Sequence, residues 1–197
     1  WSTIALSAGP FIALAPLSAG QWLVVGTEAI ETVRAAPSRA GRSTVEYADP
    51  TTRDLRAIAV RDTEMVVGVG RNGAILSTSN AGRTWTPFAF DVANEQPPTF
   101  TAARFTTDGR LIVASTSGAL YVTADGGKQW QRARAGGAAT AVTSIVSTPT
   151  ALYAAGAGGT LLRSTDGGDH WEPLAISHGT FTDLQMTDAS RGVTRWP

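Results

Sequence analysis

Eight residues toward the C-terminal end, STDGGDHW (Ser164 to Trp171), recur upstream as TADGGKQW (Thr123 to Trp130) and TSNAGRTW (Thr78 to Trp85). All three share one grammar: a hydroxyl residue, any residue, Asp or Asn, Gly or Ala, Gly, two free positions, Trp. An eroded copy, SRAGRST (Ser38 to Thr44), carries Arg39 in the acidic slot and Thr44 in the tryptophan slot, and Trp1 occupies the closing slot of a fifth. The closing positions 1, 44, 85, 130 and 171 are spaced 43, 41, 45 and 41 residues apart. A period that regular along the whole chain means an array of like units, each too small to bury its own apolar faces alone.

The unit is all strand. Between Leu55 and Phe90 run LRAIAV (Leu55 to Val60), a turn, EMVVGVG (Glu64 to Gly70), the turn RNG, AILSTS (Ala74 to Ser79), the box, and WTPFAF. Short alternating or β-branched runs bounded by Gly, Asn and Asp predict four antiparallel strands. The next units repeat the plan, and no segment holds a 3.6-residue apolar period over three turns. Four strands every 41 to 45 residues are the signature of a β-propeller blade. The inner strands are apolar on both faces, as expected of sheets sandwiched between neighbours, and the last, as in WQRARA, is more polar and belongs on the outside. Blades are expected over about 7–49, 50–91, 100–136 and 141–176. Strands at 1–6 and 181–197 belong to partial blades, so that the chain reads as one domain forming an arc of a larger propeller.

The box itself resembles the Asp box, or bacterial neuraminidase repeat; the grammar of the tryptophan-aspartate repeat is absent. In physical terms it is a hairpin lock. The side chain of Asn80, Asp125 or Asp166 accepts backbone N–H bonds across its own turn, Gly82, Gly127 or Gly168 supplies a positive φ, and Trp85, Trp130 or Trp171 packs beneath the loop. The resemblance implies that these nine residues are scaffolding at an outer rim, remote from ligands. Asp166, Asp169 and His170 form a potential metal cluster, but the other boxes repeat neither Asp169 nor His170. No metal and no cofactor is expected.

Composition narrows the function. Sixteen basic and sixteen acidic residues leave no net charge and no basic run, which argues against a nucleic-acid surface. There is no cysteine, so thiolate chemistry and disulfides are excluded. The apolar stretch from Phe11 to Gly26 is interrupted by Pro16, Ser18, Gly20 and Gln21 and predicts neither a signal peptide nor a membrane span. Sialidases need an arginine triad with Phe-Arg-Ile-Pro near its first arginine, and no such tetrapeptide occurs. Candidate carboxylates Asp91, Glu95, Asp183 and Asp188 show no spacing that argues for a convergent pair. Two phrases, GRNGAILSTSNAGRTW and GAGGTLLRSTDGGDHW, instead make the chain similar to the photosystem II stability/assembly factor family and its bacterial relatives. That resemblance implies a non-enzymatic, exported, periplasmic propeller that binds another protein beside a membrane complex; a glycan-active or glycan-binding propeller is the alternative. Recognition would fall on the loops between second and third strands and between blades, where Arg71, Asn72, Glu95, Arg134 and His178 are the candidate binding residues.

Overall fold

The computed structural model describes residues 11–18, 21–26, 30–34, 55–136, 140–175, 179–181, 183–186 and 192–195. Within them the chain forms strands in sequence order, grouped into successive antiparallel sheets. The first holds β1 (Phe11–Ser18), β2 (Gln21–Gly26) and β3 (Ile30–Arg34). The second holds β4 (Leu55–Val60), β5 (Val66–Gly70), β6 (Ile75–Thr78) and β7 (Thr86–Pro87). The third holds β8 (Phe100–Phe105), β9 (Leu111–Ser115), β10 (Leu120–Thr123) and β11 (Gln131–Arg132). β12 (Arg134–Ala135) then joins the fourth sheet with β13 (Val142–Ser147), β14 (Leu152–Gly156), β15 (Leu161–Ser164) and β16 (His170–Pro173). A final pair, β17 (Asp183–Met186) and β18 (Gly192–Arg195), begins another sheet. The expected strand at the first residues, the eroded box and His178 lie outside the described residues.

Period-2 alternation explains why the sheets stack. Along β9, Leu111 and Val113 face the second sheet, while Ile112 and Ala114 face the fourth. Every residue of β5 and β9 is buried, because each sheet is covered on both sides by its neighbours. Ala15, Leu17, Leu23 and Val25 meet Leu55, Val66 and Leu76 between the first and second sheets. Val67, Val69 and Ile75 meet Phe100, Val113 and Tyr121 between the second and third. Leu120 and Val122 meet Ile145, Leu152 and Leu162 between the third and fourth. The outer strands β7 and β11 are exposed, as their polar sequences require.

Two details were not expected. The fourth strand of the third unit is divided: β11 pairs with β10, and after Ala133 the chain crosses to the next sheet, where β12 runs parallel to β16. The first strand of each of the first four sheets carries a bulge near its start, at Leu55/Ala57, Phe100/Ala102 and Val142/Ser144, for example. In the third and fourth sheets a threonine sits in the bulge and reaches the following unit: Thr101 Oγ1 donates to Val142 O at 2.5 Å and Thr143 Oγ1 to Phe181 O at 2.9 Å.

Candidate functional site

Antiparallel order gives the stack two ends. At one lie the boxes and the turns joining first to second strands. At the other lie the turns joining second to third strands and the connectors between sheets, which include the candidate binding loops.

The boxes are built by one bonding scheme. The hydroxyls of Thr123 and Ser164 donate to Asp125 Oδ1 and Asp166 Oδ1 at 2.8 and 2.9 Å, and accept the N–H of Gly127 and Gly168 at 3.0 Å. The same carboxylate oxygens accept the N–H of Gln129 and His170 at 3.0 Å. Gly127 and Gly168 sit at φ +98° and +97°, and a Cβ on Gly168 would lie 2.4 Å from Ile112 Cδ1 of the preceding sheet. The indoles of Trp130 and Trp171 donate to Gly127 O and Gly168 O at 3.1 and 2.9 Å. Each ring sits among residues of its own sheet and the one before, so it pins two units together as well as closing a loop.

The first box is a variant. Asn80 Oδ1 accepts Thr84 N–H at 2.9 Å, and Asn80 Nδ2 donates to Thr84 Oγ1 at 2.8 Å, so the amide substitutes for the carboxylate. Gly82 keeps its positive φ of +82°, but Ala81 is forced to +59°, and the buried Trp85 Nε1 has no partner.

Electrostatics follow from these bonds. The Gln129 N–H and the Thr123 hydroxyl hold the Asp125 carboxyl below its usual range. Partial burial pushes Asp166 up, but the backbone and ring of His170 and the Ser164 hydroxyl overcome this and bring it down to about 2. Its Oδ2 lies 2.6 Å from His170 Nδ1. Asp169, in contrast, turns to the third sheet, where Arg110 Nη2 meets its Oδ1 at 2.5 Å and Arg110 Nη1 donates to Asp166 O at 3.1 Å. Asp166 and His170 are thus engaged with each other, and Asp169 is taken by Arg110.

At the loop end, the connector 88–99 is a packed strap. Phe90 makes edge contacts with Phe100 and Tyr121, at centroid distances of 5.4 and 4.9 Å. Glu95 accepts a hydrogen bond from the buried Tyr121 hydroxyl and pairs with Arg132 at 3.1 Å. Burial first, then the Glu95 carboxylate, pushes the Tyr121 phenol well up. Pro98 O accepts Gly73 N–H at 2.7 Å, which ties the strap to the turn Arg71–Gly73. Arg71 and Asn72 project from that turn, exposed, with Asn72 at φ +52°. Arg134, also exposed, lines a cleft of about 510 Å³ together with Arg132, Leu120, Thr140 and Thr160, between the third and fourth sheets. Glu95 and Arg134 therefore flank one region through Arg132, while Arg71 and Asn72 stand on the neighbouring turn. Of the carboxylate candidates, Glu95 is engaged as described and Asp91 is exposed; the Asp183 side chain and Asp188 lie outside the described residues. Sequence reasoning missed the bulge threonines and Arg110. The repeated Phe-Thr and Val-Thr at strand starts (Phe100-Thr101, Val142-Thr143) would have flagged the former.

No family model matches the chain, and no curated protein matches it. Solved structures do. A structure of YCF48 bound to D1 peptide superposes with a TM-score of 0.70 at 17% identity, over 100% of this chain and 63% of its own. YCF48 from Cyanidioschyzon merolae gives 0.67 at 16%, over 96% and 64%. Virginiamycin B lyase from Staphylococcus aureus gives 0.71 at 12%, over 92% and 61%. The chain thus spans a little under two thirds of the length of these proteins, and at such identities the likeness speaks for the fold alone: four-stranded antiparallel sheets arranged as in a β-propeller.

Proposed function

We propose that this chain is a non-enzymatic propeller that binds a segment of another protein at its loop end. The observation that carries this is the strap at 88–99. It is held by Phe90, by Glu95 against Tyr121 and Arg132, and by Pro98 against Gly73, so the loop end is a rigid, pre-formed surface. Arg71, Asn72 and Arg134 are left free at its surface to make contacts. A neighbour of the same fold has been solved with a peptide bound, which agrees with this use of the architecture. In this proposal the boxes are Asp boxes serving as scaffold and the chain is an arc of a larger ring. The partner is part of a membrane-associated complex met outside the cytoplasm. The likeness to virginiamycin B lyase gives an enzymatic reading its one support, since that neighbour is a lyase on the same fold.

The test is affinity capture from a detergent-solubilised membrane fraction of the source cells, followed by identification of the retained protein. A partner held by the chain, and lost in the Arg71→Ala/Asn72→Ala/Arg134→Ala variant, is expected. Retention of the same partner by that variant, with loss on changing box-end residues instead, overturns the assignment of the face.

A further inference from the structure

We infer that the crevice between the third and fourth sheets at the box end is a binding site for a neutral sugar, taking a single pyranose ring at the tip of a glycan. Through most of their shared interface these two sheets meet with apolar side chains such as Ile112, Val122, Leu152 and Trp171. At the box end the lining changes to hydroxyls, around an opening of about 150 Å³.

Three of those hydroxyls are spent within the fold: Thr106 bonds Asp108 and Arg110 O, Thr148 bonds Ala151 O, and Ser164 bonds Asp166. The others are not. Ser147 Oγ is buried with no partner, a state that costs free energy unless something enters to meet it. Thr107, Thr150 and Thr165 line the same crevice, and their hydroxyls make no hydrogen bond within the described residues. Four groups that can each donate and accept thus line one opening from three turns, those between β8 and β9, β13 and β14, and β15 and β16, with Ser147 Oγ buried within it and Thr107, Thr150 and Thr165 exposed around it.

The charge of the lining sets the ligand class. Asp108 is its one charged residue, and no arginine, lysine or histidine lines it. The guanidinium of Arg110 nearby is already tied to Asp169. A carboxylate or phosphate would find no counter-charge among the lining residues, whereas a sugar's ring hydroxyls can donate to Asp108 and exchange bonds with the four free hydroxyls. The volume is well below the roughly 300–1,000 Å³ of pockets that enclose drug-sized ligands, which fits one ring and no more. This site is at the opposite end from the protein-binding face proposed above, so either assignment can fail without the other.

The experiment titrates the protein with methyl α-mannopyranoside, methyl β-galactopyranoside and methyl β-N-acetylglucosaminide by saturation-transfer NMR. It also probes a printed array of neutral and sialylated glycans. At least one neutral probe is expected to bind with a Kd of about 1 mM, as a dozen ligand atoms at ordinary efficiency allow. Ser147→Ala and Thr150→Val break no bond of the fold, and each should weaken binding about 3- to 10-fold at a Tm no lower than the parent's. Absence of transfer from all three probes together with a blank neutral array would mean that the crevice holds only water, and would overturn the proposal. So would binding undiminished in the double variant, or sialylated glycans retained as well as neutral ones.

Discussion

Trp171 is only 2% exposed and Trp85 keeps a buried N–H without an acceptor, so the same ring in the same slot has different worth in two boxes. Trp171→Ala should cost about 3–5 kcal/mol by chemical denaturation, since it empties a site shared by two sheets. Trp171→Phe should also lose the bond to Gly168 O, about 1 kcal/mol, a loss that Trp85→Phe has no bond to suffer. Ala81→Gly should raise stability slightly, by about 0.5 kcal/mol, because relief of a left-handed alanine outweighs the extra freedom of the unfolded chain. An unchanged or lowered denaturation midpoint would contradict the strain at that residue. Asp166 adds a pH effect. Its folded-state pKa, about 2, lies below the ordinary carboxyl value of 3.8, so its stabilising contribution is complete above about pH 4 and is lost as the pH falls toward 2. The carboxylate is 41% exposed and screened, which limits the effect to about 1 kcal/mol. Asp166→Asn should flatten the acid limb of a stability–pH profile, and an identical limb in that variant would count against the bonding described.

Elements were legible where the sequence speaks through period and turn chemistry. VVGVG and LIVAS are buried on both faces as their unbroken apolar runs imply, and the box turns close where Asp and Gly require. What stayed hidden was contact between units. WTPFAF reads as a full strand, but the strand covers only Thr86–Pro87, followed by one bond from Phe88 N–H to Ile75 O, and Phe88 and Phe90 pack on the next sheet. Glu95 reads as a free loop acid, but the phenol it meets is 26 residues away in the chain. Gly156 looks like one glycine among many. A Cβ there would stand 2.0 Å from Ala141 O, a backbone atom that has no room to yield, so Gly156→Ala should cost at least about 3 kcal/mol. Thr101→Val, which removes the hydroxyl's bonds to Val142 O and Ala114 O, should cost about 1 kcal/mol. A Gly156→Ala protein as stable as the parent would refute the close approach.

Across the described residues, stability is assembled interface by interface, since their core clusters join each sheet to its neighbours in sequence. Amide hydrogen exchange should be slowest in β9 and β14, which are covered on both sides, and fastest in β7 and β11. Uniform protection across the strands would contradict a serial core. The division of the third unit's last strand bears on how such a chain lengthens. Because Arg134 N–H donates to Asp169 O and Gly136 N–H to Trp171 O, the segment that a gene duplication must copy to insert one working sheet starts before residue 134. A crossover that cut the coding sequence just ahead of β13 would deliver a sheet lacking its flanking parallel strand. Lineages that gained or lost units by recombination would therefore preserve junctions on the box tryptophans, upstream of the crossing, and the period would be stamped there.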